Sequence, residues 1–596
     1  MEEHEKGREA FADDRDYKLH CLRHSAAHVM AEAIQTVFPE ASFAIGPAIK
    51  DGFYYDVDVS RPITEEDLTT IEKAMKAVVK RNSKFEQETW SKEKATTWFK
   101  ERGQDFKVEL IAGIPDAEVS IFHQDGFTDL CRGPHVPRTK NCKHFKLLKV
   151  SGAYWRGDAS GPQLQRIYGT VWPTRDELDQ YMYRIEEAKK RDHRRLGKQL
   201  ELMMFHEYAP GSPFFLPKGE VLYHELSEAM RTLLMGEGYV AVRTPQMFDC
   251  RLWKTSGHWD HYKEDMFAFN EEEGSEDTSD ERVMGLKPMN CPSHMLIFGS
   301  KKRSYRELPL RIHDQGVLHR NEMRGALGGL TRVRQFCQDD AHLFVTEEQI
   351  ESEVTDLLAM VDKVYRSFDM DFICKLSTRP EKKMGDDALW DQAENSLQKA
   401  LENNNLPFIL KEGDGAFYGP KIDFDVVDAL GREWQCATIQ LDYQLPRRFD
   451  LKYVGADNET QVPVVIHRAI FGSLERFIGI LIEHYAGAFP TWIAPEQVRI
   501  LTVSEKSLQH GYAVRDALTA AGLRVHVDDR DDKIGFKIRE AHNAKTPWMA
   551  IVGEQEQDTG TVSVRLRKDL QGQGTPPNPS VDEFVALVQA AAQRPF

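Results

Sequence analysis

Three arginines, Arg320, Arg332 and Arg334, flank a glycine-rich turn at 325–329, and the chain then runs into Gln338-Asp339-Asp340-Ala341-His342. Arginine forks on two paired segments suit phosphate, which they grip bidentately. The same pattern also fits a surface hairpin with solvated arginines. An amide, two carboxylates and an imidazole in close succession add the polar density of a pocket. A second constellation lies nearer the N-terminus. His24 and His28 stand at i and i+4, so a helix carries them on one face. Cys131 and His135 repeat that separation. These four fit a tetrahedral metal site, a metal-free active site, or unrelated buried residues. Cys291 and His294 form a third, weaker pair, because a lone CxxH has little specificity.

Particular elements must position these groups. Residues 316–321 and 332–336 read as the two strands of a hairpin, the first mostly apolar and the second alternating. Residues 22–38 read as a helix stopped by Pro39. Residues 174–207 read as one long charged helix, with Thr174 as N-cap and Asp176 and Glu177 in its first turn. It carries AKKRDHRRLGKQ, a basic run that fits a solvated linker face or contact with a nucleic-acid backbone. Residues 239–247 read as a strand ending near Pro245. GAFYGPKIDFDVVD sets Tyr418 and Lys421 ahead of a strand, and 434–449 carries Gln435, Thr438 and Gln440 on another, the last two on one face. Residues 464–487 read as strand, turn and helix. Leu474, Phe477, Ile478 and Leu481 form the buried stripe, and Arg476 lies off it. From about Ala494, four strand patterns alternate with helices near 511–521 and 535–544, the pattern of a small α/β domain.

A length of 596 residues implies several domains. With 41% hydrophobic and 29% charged residues the chain is an ordinary globular protein. A formal net charge of −17 excludes bulk electrostatic binding of nucleic acid, though not a local basic groove. Eight scattered cysteines read as reduced thiols of a cytoplasmic protein. The N-terminus, to about Tyr17, is a charged tail with no signal-peptide core, and no run is apolar enough to span a bilayer. Residues 269–282, acidic and poor in apolar groups, read as an exposed loop.

The arginine-flanked turn resembles motif 2 of class II aminoacyl-tRNA synthetases, and within that class the threonyl-tRNA synthetases. The resemblance runs from about Leu22 to Arg567. It implies a multidomain α+β protein: a charged tail (1–18), an editing domain (19–173), a linker helix (174–207), a class II antiparallel-sheet catalytic domain (208–493) and an α/β anticodon-binding domain (494–596). The N-terminal end is too short to hold the small ubiquitin-like domain with which many members begin. The strand at 239–247 is similar to motif 1, which implies a homodimer.

The resemblance also implies roles. Arg320 contacts the α-phosphate of ATP, Glu322 and Phe336 hold the adenine, Arg332 binds phosphate, and Gln338 and Asp340 face the adenylate and threonine. Arg476, in motif 3, binds the γ-phosphate. Tyr418, Lys421, Gln435 and Gln440 line the pocket, and Thr438 and Ser473 complete the substrate-binding set. His258, in TSGHWDHY, assists attack by the terminal hydroxyl of tRNA. Cys291, His342 and His467 ligate one zinc, and Mg²⁺ accompanies ATP. HxxxH and CxxxH, with IGPAIKDGFYYDVD between them, resemble the editing domain; there Lys107 and Asp129 join His24, His28, Cys131 and His135 in hydrolysing serine wrongly attached to tRNA(Thr), without a metal. Asp531, Lys533, Glu556 and Arg565 fall at anticodon-facing positions. The chain departs from the family pattern at Ser293 and Ala437, where glycine is common, at Asp531, where asparagine is common, and in the turn at 323–331. The implied reaction forms threonyl-adenylate and then Thr-tRNA(Thr). A non-catalytic RNA-binding relative and a metal hydrolase centred on HxxxH…CxxxH are the alternatives.

Overall fold

The computed structural model describes residues 11, 13–158, 160–270, 283–571 and 576–596. Most of the expected N-terminal tail (1–10 and 12) and most of the expected acidic loop (271–282) lie outside the described residues. The chain divides into two compact units, Met1–Glu186 and Glu187–Phe596.

The first unit is built on a helix, α1 (Asp14–Val37). It starts eight residues earlier than its apolar pattern indicates. Asp13 caps it by accepting from the Arg15 and Asp16 N–H groups, so the acidic end of the tail is the start signal of the helix. Among its buried residues are His24 and His28. A five-stranded antiparallel sheet covers it, centred on β1 (Gly52–Asp58) and its partner Gln163–Val171. Phe53, Tyr55 and Val57 alternate inward on β1 and are almost fully buried. A smaller three-stranded sheet joins Glu86–Ser91, β2 (Glu118–Gln124) and β3 (Phe127–Leu130). The short helix α2 (Asp105–Ala112) carries Lys107.

The expected single helix at 174–207 is two. One, Arg175–Arg191, opens with Glu177 donating its N–H to Thr174 Oγ1 at 3.2 Å, the cap the sequence indicates. It ends before Asp192, which leaves helical geometry and caps α3 (His193–Gln199) by accepting from the Arg194 N–H.

An eight-stranded sheet dominates the second unit. Its order is Val240–Ala241, β4 (Leu310–Asp314), β5 (Asp340–Val345), β6 (Val464–Ala469), β7 (Glu433–Asp442), β8 (Lys421–Val427), Asp371–Ser377 and Phe408–Lys411. The six central strands are antiparallel and each outermost strand pairs parallel. The expected strand at 239–247 is broken. After Ala241 the chain leaves this sheet, and Met247–Asp249 joins a separate three-stranded one. Pro245 has no N–H to give a ladder, which accounts for the break. Helix α4 (Leu474–His484) packs its stripe of Leu474, Phe477, Ile478 and Leu481 into the core; Ile480 and Ile482 are buried as well.

The C-terminal strands follow the expected alternation: Val498–Thr502, Val525–Asp528, Trp548–Val552 and Ser563–Leu566. The first three are parallel and the last antiparallel. All eight cysteines are buried and unbridged. Among the described residues, no helix is long and apolar enough to cross a membrane.

Candidate functional site

The hairpin of the central motif forms, but its ladder is short: Val317–His319 pairs with Gln335–Cys337, with Leu318 opposite Phe336. Arg320, Arg332 and Arg334 therefore lie beyond the paired strands, because the connection needs two 3₁₀ turns, Arg324–Ala326 and Gly329–Thr331. They do not share one face. Arg334 turns inward and donates to the Glu322 carbonyl at 2.7 and 2.9 Å, so it braces the turn. Arg332 pairs with the Glu322 carboxylate at 2.8 Å. Arg320 sits 5.0 Å from the Phe336 ring centroid, and its buried Nε has no protein acceptor. Arg476 leaves the first turn of α4 and donates to the Thr331 carbonyl at 2.9 Å and the Gln435 carbonyl at 3.1 Å. It thus ties the turn to β7. Ser473 caps α4, and its hydroxyl donates to buried Glu475. Glu475 also accepts the Cys337 N–H, and burial pushes its carboxyl up to about 7.

Strand register assembles the rest. His342 on β5 lies opposite His467 on β6, His467 opposite Gln440 on β7, and Gln440 opposite Lys421 on β8. Directly opposed residues share a face, so these four form one row across four strands. Cys291, at the start of the helix Cys291–Gly299, reaches the same place. The ligand atoms of Cys291, His342 and His467 all lie within 4.8 Å of one another. His342 Nε2 is buried with no hydrogen-bond partner. His467 Nε2 is held by Asp442 at 2.9 Å, and His342 Nδ1 faces His294 Nδ1 at 2.8 Å. One thiol and two imidazoles, with an orphaned nitrogen and oriented rings, suit a zinc-type cation. His294, the partner in the local CxxH pair, orients a ligand and is not one of the three. Tyr418 lies 5.3 Å from His467 between ring centroids.

The two adjacent acids separate by role. Asp340 accepts from Asn290 at 3.1 Å, and burial pushes it up to about 7. Asp339 is structural: it accepts the Ile470 and Gly472 N–H groups at 2.8 and 3.0 Å. Gln338 bridges to Ser473. Thr438 does face the same side as Gln440, and its hydroxyl donates to Asp423 at 2.9 Å, while Lys421 pairs with that same carboxylate at 2.7 Å. Asp423 was not singled out in the sequence; its alternation with Lys421 on β8 was the available signal. His258 is fully buried, its Nδ1 on Ser256 Oγ at 2.8 Å and its Nε2 on Met289 Sδ at 3.1 Å, and burial lowers it to about 3.

The first unit holds its own cleft of about 850 Å³, whose lining includes His24, His28, Lys107, Asp129 and Cys131. Cys131 Sγ lies 3.3 Å from His24 Nε2 and 3.2 Å from His135 Nε2. The Lys107 ammonium meets Asp129 at 2.5 Å, both almost fully buried. Tyr55 accepts from Lys107 at 2.9 Å and donates to Asp129. It was missed in the sequence, although its strand alternation aims it inward with Phe53. Burial pushes the Cys131 thiol up to about 12 and lowers His28 to about 4. Burial thus disfavours a thiolate nucleophile at Cys131.

Of the four residues expected at the C-terminal domain, Asp531 and Lys533 are exposed just after Val525–Asp528. Glu556, in the helix Glu554–Thr559, accepts the Gly553 N–H at 2.9 Å. Arg565 is exposed and pairs opposite Met549, away from the strand ends that carry the other three.

Three family models match the chain: the class II tRNA synthetase core domain (G, H, P, S and T) over 270–485, the anticodon binding domain over 497–590, and the threonyl and alanyl tRNA synthetase second additional domain over 119–168. The threonine–tRNA ligase of Caldanaerobacter subterraneus subsp. tengcongensis is 50% identical, over 94% of this chain and 85% of its own. That of Clostridioides difficile is 49% identical, over 95% and 87%. Among solved structures, the RNA binding domain of threonyl-tRNA synthetase from Cryptosporidium parvum matches 67% of this chain and 98% of its own, at 42% identity and a TM-score of 0.64. With all three modules matched and relatives about 50% identical over nearly the whole chain, the chain belongs to the threonine–tRNA ligases, class II aminoacyl-tRNA synthetases with a second, editing-type domain.

Proposed function

We propose that the chain activates threonine with ATP and transfers it to tRNA(Thr) in the domain at 208–493, and removes serine from mischarged tRNA in the domain at 19–173. The linker at 174–207 joins the two, the domain at 494–596 binds the anticodon, and the segment at 239–247 builds a cytoplasmic homodimer. The observation that carries the reading is the row His342–His467–Gln440–Lys421, beside which Cys291 completes a three-ligand set.

Zinc bound by Cys291, His342 and His467 would supply an open coordination position for the amino and hydroxyl groups of threonine. A site built around a substrate hydroxyl rejects the analogue lacking it far better than an apolar pocket does, so valine is excluded. Gln440, Tyr418 and Asp340 orient threonine, with Gln338 toward the adenylate. Glu322 and Phe336 hold the adenine, while Arg320, Arg332 and Arg476 face phosphate, with Mg²⁺ neutralising further charge. In-line attack of the carboxylate on the α-phosphate needs alignment and charge stabilisation, not a side-chain nucleophile. Gln435, Thr438, Lys421 and Ser473 frame this pocket. His258, whose ring lies 6.2 Å from that of Tyr418 between centroids, assists attack by the terminal hydroxyl of tRNA.

Serine lacks one methyl of threonine, worth only about 1–3 kcal/mol of discrimination, so a second hydrolytic site is required. Lys107 and Asp129 fix the polarity of that cleft, and His24, His28, Cys131 and His135 position water and the ribose. Asp531, Lys533 and Glu556 meet the anticodon, and Arg565, exposed on Ser563–Leu566, stands apart from them.

Metal analysis of the purified chain tests the zinc assignment. Zinc should be present at one per chain in the parent, absent in Cys291→Ala, and unchanged in His24→Ala. Zinc lost only with His24→Ala would move the metal to the first unit and overturn the assignment.

A further inference from the structure

His193 lies within the basic run AKKRDHRRLGKQ, whose charge pattern gives it no role of its own. It opens α3 and is 4% exposed. Its Nδ1 lies 2.6 Å from Glu483 Oε1 near the end of α4, and its own N–H donates to the same oxygen at 3.0 Å. On the ring's other side, Nε2 accepts the N–H of Leu330 at 3.0 Å, in the turn between Arg320 and Arg332. An imidazole nitrogen that accepts a backbone N–H carries no proton, so the proton sits on Nδ1 and points at Glu483. Glu483 is fixed in turn by Arg432 at 2.6 Å.

The turn is fitted to this ring. Gly329 has φ +64, and a Cβ there would lie 2.3 Å from His193 Nε2. On the same segment, Leu330 Cβ stands 3.1 Å from where a Cβ on Gly479 of α4 would be, and Thr331 accepts from Arg476. Three consecutive turn residues are thus pinned by His193, by α4 and by Arg476. Asp192, His193 and Glu483 together could hold a cation. However, Asp192 is occupied in capping Arg194, and the free lone pair of His193 is spent on Leu330.

We infer that His193 is a positioning residue for ATP: by accepting the Leu330 N–H it holds the phosphate-binding turn in the conformation where Arg476 reaches the Thr331 carbonyl and Arg320 and Arg332 flank the turn. The inference rests on the reading of the preceding subsection. The threonine-binding row lies on the sheet and does not depend on this contact.

Asparagine and glutamine separate the two ring nitrogens. Glutamine places an acceptor near the Nε2 position, whereas asparagine places a donor near Nδ1 only. His193→Ala and His193→Asn should therefore lower kcat/KM for ATP in threonine-dependent pyrophosphate exchange by about tenfold or more. His193→Gln should stay within about threefold. The KM for threonine should not change in any of them. Amide exchange of the segment containing Leu330 should accelerate in His193→Asn and stay slow in His193→Gln. Gly329→Ala, which forces the ring away, should behave as His193→Ala. Equal effects of the asparagine and glutamine variants, or a parallel rise in threonine KM, would overturn the positioning role. A parent enzyme without exchange activity would instead contradict the functional reading, and the amide-exchange comparison would still decide the anchor.

Discussion

Replacing Arg320 with alanine should reduce threonine-dependent ATP–pyrophosphate exchange by about 10²- to 10³-fold, the usual cost of removing one preorganised donor from a developing anion. The case rests on what surrounds the guanidinium. Arg332 already has a carboxylate partner in Glu322, and Arg334 is spent on a backbone carbonyl. Arg320 stands over Phe336 with a buried Nε that no protein group accepts from. A buried donor left unpartnered costs free energy unless a ligand engages it. Arg334→Ala should act differently: loosening the turn should raise the KM for ATP more than it lowers kcat. Equal, small effects of the two substitutions would show that Arg320 does not meet the reacting phosphate.

The second large effect is expected in the other unit. Lys107→Met should abolish deacylation of Ser-tRNA(Thr) and destabilise the protein by about 3–5 kcal/mol, because it leaves the carboxylate of Asp129 buried without its cation. Both side chains are about 4% exposed. The charge-free double variant Lys107→Met/Asp129→Leu should recover most of the stability, since a buried pair exchanged for apolar groups is often close to neutral. It should recover none of the deacylation. Thermal unfolding and single-turnover deacylation on the same samples separate these outcomes. Deacylation returning together with stability would mean that the pair is only structural.

How far the sequence could be read depended on whether neighbours along the chain are neighbours in space. His24 with His28, and Cys131 with His135, are legible because the i, i+4 spacing on α1 and a short loop bring each pair together. The three-ligand set is not legible from spacing. Cys291 sits on a helix, His342 and His467 on two antiparallel strands, and only the register of β5 against β6 makes the imidazoles neighbours. That assignment came from family resemblance. Residue type alone also misled in two places. Arg334 is chemically the same as Arg332, yet it turns to the backbone of its own loop. Asp339 and Asp340 are adjacent, yet strand alternation sends one to the α4 loop and the other to the pocket. The helix boundaries shifted for local reasons, an aspartate cap at Asp13 and another at Asp192, both of which polar composition disguised as tail and linker. Positioning residues such as His193, Asp423 and Tyr55 lie inside marked stretches, yet neither type nor spacing sets them apart, because their role exists only in the contacts they make.

Selection of threonine by a hydroxyl-reading metal centre, with serine corrected at a second site, is tested by amino-acid-dependent ATP–pyrophosphate exchange run side by side with threonine, serine and valine on the zinc-loaded protein. Strong exchange with threonine, weaker but real exchange with serine, and almost none with valine are expected. Valine activated as well as serine would contradict that selection, because an apolar pocket would then be doing the selecting.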